Sequence, residues 1–262
     1  MSLFTALMGA AVTVETPIDG ATGVWIKSGG VTISSAMKIQ GVTVNIEESM
    51  YIYSRGSAVN CVGGGILYAS NGGMIIGGGW SGGNIYSGAT ATDMHTSAGT
   101  LNITNGAVIA SLIVSPYPAL VLNNASVSGV LVESGGSFRC GDGTTYNVVC
   151  GASRAGTTNE VQANRPTAVI SGLSQVPGVP AFVTVYVRSA AQIFDVAAVS
   201  GWAVHVSSAA IVERLSLESG GSLHVYSGGT ALAVTSNAGA KVTVSTGGYI
   251  EYAYDVERTY RT

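Results

Sequence analysis

The chain has 262 residues, a formal net charge of −3, 47% apolar and 10% charged side chains, and 37 glycines against 6 prolines. A disordered chain would carry more charge and fewer aliphatic residues, a coiled coil would be rich in Glu, Lys and Leu, and a membrane span needs roughly 18 consecutive apolar residues. The composition excludes these three classes, and the scattered basic residues offer no stripe for nucleic acid or an anionic membrane.

The N-terminal segment Met1 to Val14 contains a mildly apolar run, Leu3 to Met8, but no Lys or Arg precedes this run and no convincing cleavage site follows it. Secretory signals combine a basic start, an apolar centre and a cleavage site of small residues. The segment is therefore not predicted to be a secretory signal.

A turn of small residues followed by alternating apolar residues recurs along the chain. The pattern occurs at Lys27 to Ile33 and again at Glu133 to Cys140. The stretch Glu133 to Cys140 aligns with Glu218 to Val225 without a gap. Between Ser219 and Tyr252 such turns recur about every 8 to 10 residues. The period of two between the turns predicts short strands with one buried face.

Such short strands need stacked neighbours, because a strand of four or five residues cannot bury its face alone. Gly-Gly pairs allow tight corners, since glycine adopts positive φ at little cost. Two or three strands per coil give a rung of roughly 18 to 28 residues, which is typical of a solenoid. We therefore expect residues 1–262 to form one all-β domain, a single-stranded parallel β-helix of about ten to thirteen rungs with Val, Ile and Leu stacked inside.

The segment from about 151 to 180 departs from this pattern. It contains Arg154, Glu160 and Arg165 and ends at the Pro- and Gly-containing stretch Val176 to Pro180. Because Gly and Pro mark turns, we predict an irregular excursion or a kink between two halves of the solenoid. Beyond it, Ser189 to Val199 allows either a short helix or further rungs, and the sequence favours the rungs.

Three cysteines, Cys61, Cys140 and Cys150, are too few for a disulfide scaffold. Buried free thiols are favoured over a bridge between Cys140 and Cys150. Since Cys140 aligns with Val225 in the repeat, we expect its thiol to face the interior.

No motif for catalysis, a cofactor or a metal is convincing. Gly77 to Gly82 matches G-x-G-x-x-G, but no helix pattern follows it, as a dinucleotide-binding turn requires. His95, His205 and His224 are isolated, whereas a zinc site needs three or four convergent ligands. His224 alternates with apolar residues and should point to solvent. We therefore predict no catalytic, cofactor-binding or metal-binding residue.

Carboxylates are the other candidates for a catalytic site, because many parallel β-helices cleave polysaccharides with acids gathered on one wall. The candidates for such a site are Asp142, Glu160, Arg154 and Arg165, around the irregular segment. Solvated loop charges explain these four residues better, since the aspartates of the chain are too widely spaced to be neighbours on adjacent rungs.

Three groups of aromatic residues are candidates for exposed platforms on which sugar rings stack. Tyrosine suits this role because it offers a flat apolar face and a polar tip. Packing between rungs and capping of the ends are the favoured explanations. The groups are Tyr51 with Tyr53, Trp80 with Tyr86, and Tyr249 with Tyr252 and Tyr254.

The Ser-Gly-Gly turns resemble the passenger repeats of AIDA-type autotransporter adhesins. The best match is Ser219 to Ser245, and Val132 to Thr145 and Lys27 to Ser35 match less completely. The resemblance implies a right-handed parallel β-helix at a bacterial surface that acts in adhesion or aggregation. Its implied partners are glycans, host or bacterial surface proteins, or further copies of itself, and it supplies no catalytic residues.

The sequence therefore favours a non-enzymatic adhesin-like protein, at the cell surface or outside the cell, that gains strength from many weak contacts. Two alternatives stay open: a polysaccharide lyase or glycoside hydrolase with a cleft beside the 151–180 excursion, and a trimeric phage tail-spike segment. In each case we expect Met1 to Val14 to cover the first rung and Tyr252 to Thr262 the last, since solenoid ends need caps.

Overall fold

The computed structural model describes residues 21–96, 99–104, 106–115, 119–153 and 156–253. Within these ranges it contains 24 β-strands and no helix. The chain winds into a parallel β-solenoid of about 11 turns, which confirms the predicted parallel β-helix. At a spacing of about 4.8 Å per rung, the rod is on the order of 50 Å long.

The strands are numbered in chain order. The first twelve are β1 (Val24–Ser28), β2 (Val31–Ala36), β3 (Lys38–Gln40), β4 (Thr43–Val44), β5 (Glu48–Ile52), β6 (Ser57–Val59), β7 (Val62–Ala69), β8 (Met74–Ile76), β9 (Gly79–Ile85), β10 (Thr90–Thr96), β11 (Thr100–Thr104) and β12 (Val108–Val114). The other twelve are β13 (Ala119–Val132), β14 (Ser137–Cys150), β15 (Asn159–Ala163), β16 (Ala168–Gln175), β17 (Val183–Val187), β18 (Gln192–Ala198), β19 (Trp202–Val206), β20 (Ile211–Leu217), β21 (Ser222–Val225), β22 (Thr230–Ser236), β23 (Lys241–Val244) and β24 (Tyr249–Tyr252).

Each regular rung has three flat segments, which stack on those of its neighbours as three walls. In the rung of β20 and β21, wall A contains residues 211–213, wall B contains 215–217 and wall C contains 222–225. The rungs before and after this one pair with it in parallel, residue by residue. Equivalent positions therefore form columns along the rod.

The corner between walls A and B is made by one residue of positive φ in the middle of a long strand. Because it lies at the same register position in successive rungs, the long strands bend in the same place. Its members have φ between 49° and 77° and are Asp93, Ser111, Gly129, Asn147, Gly172, Asp195, Arg214 and Ala233. The left-handed conformation costs non-glycine residues roughly 1–2 kcal/mol each, so the pairing on both sides must hold this corner in place.

Ser-Gly-Gly turns make several of the other corners, and their two glycines have different roles. In the turn after β20, the amide of Gly221 donates to the Glu218 carbonyl at 3.0 Å, and Gly220 has φ of 80°. Gly221 is needed for a different reason: a Cβ on it would lie 2.7 Å from the carbonyl oxygen of Ala198 in the preceding rung. The first glycine thus permits the backbone turn and the second permits close stacking.

The copy of the repeat at Lys27 to Ile33 does not form a coil corner, contrary to the alignment with the later copies. It folds as an antiparallel hairpin of β1 and β2, and β1 also pairs antiparallel with β5. Here the two central turn residues are Gly29 and Gly30, both with positive φ, as in the type I′ turns that reverse a chain. In the coil corners the turn lies one residue earlier, on Ser and the first Gly.

The interior is a continuous apolar core of stacked side chains. One column on wall C contains Phe138, Val161, Val185, Val204 and Leu223, each of which is 0% exposed. Burying each such side chain contributes roughly 1.5–3 kcal/mol. The neighbouring column carries Cys140 in line with Val225, which confirms the predicted interior thiol.

The irregularity expected over 151–180 is narrower in the structure. Strands β15 and β16 lie within that segment and pair in register with β14 and with β17 and β18. Among the connections between the described strands, those before β15 and after β16 are the longest. Extra residues at a corner do not disturb the ladder, because the hydrogen bonds between rungs are made by the walls.

The buried side chain of Asn159 holds the longer turn before β15. Its Nδ2 donates to the carbonyl oxygens of Gly151 at 2.8 Å and Val132 at 3.2 Å. Its Oδ1 accepts a hydrogen bond from the amide of Gly135 at 2.8 Å. A fully buried amide thus replaces the backbone pairing that a short corner would supply.

Two further sequence predictions concern particular segments. Residues 192–198 form β18, which pairs with β16 and β20, so the preference for further rungs over a helix in Ser189 to Val199 is confirmed. The proposed cap Met1 to Val14 lies outside the described residues. Of the proposed cap Tyr252 to Thr262, only Tyr252 and Ala253 are described.

The three thiols are free and buried. Burial raises the pKa of Cys140 to about 11 and that of Cys150 to about 12. Because the thiolate is the reactive form, we expect no reaction of the folded protein with a thiol reagent such as DTNB at pH 8 over hours. The same protein unfolded in urea should react with DTNB at three thiols per chain. A fast-reacting thiol in the folded state would contradict the interior placement.

Replacing Asn159 by Ala should lower the free energy of unfolding by about 2–4 kcal/mol, because it leaves the carbonyl of Gly151 and the amide of Gly135 without their partner at a buried corner. The matched control is Asn102→Ala, which removes an outward-facing amide whose Nδ2 donates to Oδ1 of Asn84 at 3.0 Å. The control substitution should lower the free energy of unfolding by less than about 1 kcal/mol. Urea unfolding followed by far-UV circular dichroism measures both, and equal losses would refute the role of Asn159.

Candidate binding surface

The outward-facing side chains of wall C also form columns, because the register that stacks the interior stacks the exterior. In the C-terminal half of this wall, the strand register places Tyr186, His205 and His224 on adjacent rungs. Tyr226 follows two positions after His224, directly beyond β21. We call Tyr186, His205, His224 and Tyr226 the aromatic ladder.

The rings of the aromatic ladder are stacked on one another. The centroids of Tyr186 and His205 are 5.1 Å apart, and those of His205 and His224 are 4.9 Å apart with planes inclined by 9°. The Nδ1 of His205 lies 3.0 Å from the hydroxyl of Tyr226 in a hydrogen bond. Since the ring faces contact each other along the rod, it is the ring edges that face solvent, and the rings are half-buried to exposed.

Cationic groups accompany the ladder. The guanidinium of Arg188 lies over the ring of Tyr186, 4.6 Å from its centroid. Residues 137–140, 159–163, 183–187, 202–206, 222–225 and 241–244 of this half of wall C, together with Arg188, carry three cationic side chains, Arg139, Arg188 and Lys241, and a single acid, Glu160. This region is therefore locally basic, although the whole chain has a net charge of −3.

The pKa of His205 lies below its usual value. The causes are first the partial burial of the ring and then the neighbouring His224 and Arg188. The imidazole of His205 is therefore neutral at neutral pH.

The N-terminal part of wall C also has stacked tyrosines, but they are not an exposed platform. Tyr51 and Tyr68 stack at 4.8 Å, and Tyr51, Tyr53 and Tyr68 are only 2–3% exposed. Trp25 of β1 packs edge-on against Tyr53 at 5.7 Å. These rings pack against each other and against β1, in agreement with the favoured interpretation of packing between rungs, and they offer no exposed sugar platform.

The other aromatic candidates are separate from one another. Trp80 is completely buried inside the coil and Tyr86 is half-buried beside the Tyr51 cluster, so they form no joint platform. Tyr249 and Tyr252 are more than half exposed, on the last described strand. Tyr254 lies outside the described residues.

The charged residues that the sequence identified as candidates for catalysis are only partly brought together. Arg165 donates to Asp142 at 2.8 Å, and the hydroxyl of Thr167 donates to the same carboxylate at 2.7 Å. Glu160 pairs in register with Ser137, five residues before Asp142 on β14, which is on the order of 15 Å along a strand. Arg154 lies outside the described residues.

Two acids, Asp195 at the corner between walls A and B and Glu213 on wall A, share one arginine, Arg214. Arg214 donates to Asp195 at 2.6 Å and to Glu213 at 2.7 Å. These hydrogen bonds hold the pKa of Asp195 below its usual value. The cluster is exposed, and a carboxylate that is ionised and ion-paired in this way is unsuited to the role of general acid.

A depression of about 390 Å³ lies beside the longer turn after β16. Its lining residues are Gln175, Gly178, Val179, Pro180, Ala181, Phe182, Val199, Ser200 and Gly201, none of which is charged. The expected cleft of a glycan-cleaving enzyme thus has no acid in its lining.

Other features of the described residues bear on function. They contain no group of three or more His, Cys, Asp or Glu side chains able to hold a metal ion. His95 lies on wall B in β10, whereas His205 and His224 lie on wall C. Gly77 to Gly82 forms a turn and the beginning of β9. Across the described ranges, no helix has the length and apolar character needed to span a membrane.

The fold and the wall geometry define a parallel β-helix protein with a stacked polar-aromatic surface. No family model matches the sequence, and no curated protein matches it. Among solved structures, the chain is similar to the crystal structure of a TibA fragment hyper-glycosylated by TibC. The identity is 23%, the alignment covers 86% of this chain and 85% of the other, and the TM-score is 0.60. This likeness shows the shared fold alone.

The aromatic ladder was missed in the sequence analysis, which treated the histidines as isolated. The signal was present as a constant spacing of 19 residues from Tyr186 to His205 and from His205 to His224. This spacing identifies a column only if the number of residues per rung in this region is known. Only the structure gives that number, since rungs elsewhere are shorter or longer.

Acidification should destabilise the protein partly through His205. Since the folded protein lowers the pKa of this group, the unfolded chain binds its proton first, and stability falls as the pH drops below about 6.5 until the folded-state pKa is passed. Urea midpoints at pH 7.5 and 5.5 should therefore differ more for the wild type than for His205→Phe. Tyr226→Phe, which removes a hydroxyl but no imidazole, should retain the wild-type difference. An unchanged difference in His205→Phe would contradict this assignment.

Proposed function

We propose that this protein is a non-enzymatic, adhesin-like β-helical protein exposed at a bacterial surface or released from it. The observation that carries the proposal is the flat, locally basic wall C with its stacked ladder of ring edges. A surface of this kind offers contacts over several rungs and no enclosed pocket for a small substrate.

Three lines of evidence support an adhesive role. The Ser-Gly-Gly repeats resemble those of AIDA-type autotransporter adhesins. The chain shares its fold with the TibA fragment over most of both chains. The described acids that could suggest catalysis are separated, as with Asp142 and Glu160, or ion-paired, as with Asp195 and Arg214. The partners proposed are glycans or surface proteins of host or bacterial cells.

Adhesion of this type depends on many copies acting together. A single wall C makes a few exposed contacts, and exposed polar contacts contribute only about 0.2–1 kcal/mol each. Display of many copies on one surface raises the overall strength by two or more orders of magnitude without any new contact. The function we propose is therefore multivalent attachment, with weak binding by the isolated protein.

Latex beads coated with the purified protein test this proposal. We expect the beads to attach to bacterial or epithelial cell layers several-fold more than albumin-coated beads, with attachment rising steeply with coating density. Soluble protein should compete poorly at the same total concentration. Attachment no greater than that of albumin beads on every cell type would refute an adhesive function, and so would equally tight binding by soluble protein and by beads.

A further inference from the structure

The aromatic ladder and its cations combine groups that recognise an acidic sugar chain. Its edges present imidazole nitrogens and tyrosine hydroxyls, which can donate or accept hydrogen bonds to sugar hydroxyls. Arg188 and Arg139 carry guanidinium groups, whose fork of donors matches a carboxylate. The first set of groups suits hydroxyls and the second suits carboxylates.

The spacing along the wall favours a polymer over a single sugar. Ladder residues on adjacent rungs are separated by 4.9 to 5.1 Å between ring centroids, similar to the length of one pyranose unit in an extended chain. The strands that carry Arg139, Tyr186, His205 and His224 are stacked in parallel. A sugar chain lying along the rod would meet a polar group at successive units.

The charges around His205 show why the ligand should be acidic. It is faced by Tyr186 and Arg188 from the rung of β17 and by His224 and Tyr226 from the rung of β21. None of these four groups is an acid. Protonation of His205 therefore places a positive charge beside Arg188 and beside the second imidazole, which is stacked at 4.9 Å.

We propose that the aromatic ladder, with Arg188 and Arg139, is a binding site for an acidic polysaccharide of the polyuronate type. Carboxylates of the sugar chain act as counter-ions for the guanidinium groups and, at a pH low enough to protonate it, for the imidazole of His205. Binding therefore becomes tighter as the pH falls. This inference deepens the proposed adhesive function by naming the ligand class of the same surface.

The test uses isothermal titration calorimetry of the full chain with purified oligogalacturonates at pH 7.5 and pH 5.5. Neutral galactan oligomers of equal length and poly-L-glutamate are the comparison ligands. We expect oligogalacturonate binding that is roughly two- to fivefold tighter at pH 5.5, as one added exposed ion pair provides. Neutral galactan should bind more weakly at both pH values, and so should polyglutamate, which lacks the hydroxyls.

Variants separate the ladder from general charge effects. The double variant His205→Gln with His224→Gln should lose the pH dependence, and Arg188→Gln should weaken binding about threefold at both pH values. The matched control His95→Gln changes a histidine on wall B and should behave as the wild type. Circular dichroism establishes that each variant is folded.

Several outcomes would overturn the inference. These are absence of oligogalacturonate binding, equal binding of neutral galactan or of polyglutamate, or an unchanged pH dependence in the double variant. The bead assay fails or succeeds independently of these results. Beads that adhere without any polyuronate binding leave the adhesive function standing with another ligand, whereas polyuronate binding without bead adhesion supports the site and refutes the adhesive role.

Discussion

The parallel pairing of each rung with the next is the constraint on which the whole structure depends. Backbone hydrogen bonds fix the spacing of rungs and force equivalent positions into columns. An apolar residue at an inward position is therefore buried beneath another apolar residue, as Val204 is beneath Leu223. Polar corners and turns only have to return the chain to the same register, which is why Asn159 can hold a longer turn without disturbing the walls.

The same constraint creates different surfaces from similar residues. On wall C, Tyr51 and Tyr68 stack at one end and His205 and His224 at the other, with nearly equal ring separations of 4.8 and 4.9 Å. The tyrosines are buried because the antiparallel strand β1 adds Trp25 beside them. Among the described residues, the histidines contact their neighbours on adjacent rungs and are half-buried. The position of a column along the rod thus decides whether its side chains are covered or left at the surface.

Much of the fold follows from the sequence because its signals are local. Alternation of apolar and polar residues specifies strands with one buried face. Ser-Gly-Gly turns specify corners in several rungs, each glycine for its own steric reason at Gly220 and Gly221. The interior position of Cys140 follows from alignment with Val225 alone. The corner between walls A and B has no such signal, since Asp195, Arg214 and Ala233 adopt positive φ there with no side-chain type in common.

The sequence by itself thus determined the class of fold, the inward and outward faces of the repeats, and the absence of a recognisable catalytic motif. The tertiary structure alone decided that Lys27 to Ile33 reverses as a hairpin, that Asp142 meets Arg165 but not Glu160, and that His205 stacks on His224. The physical reason is that face orientation depends on neighbouring residues, whereas contacts between rungs depend on the number of residues in each coil, and turns of variable length change that number without changing the local pattern.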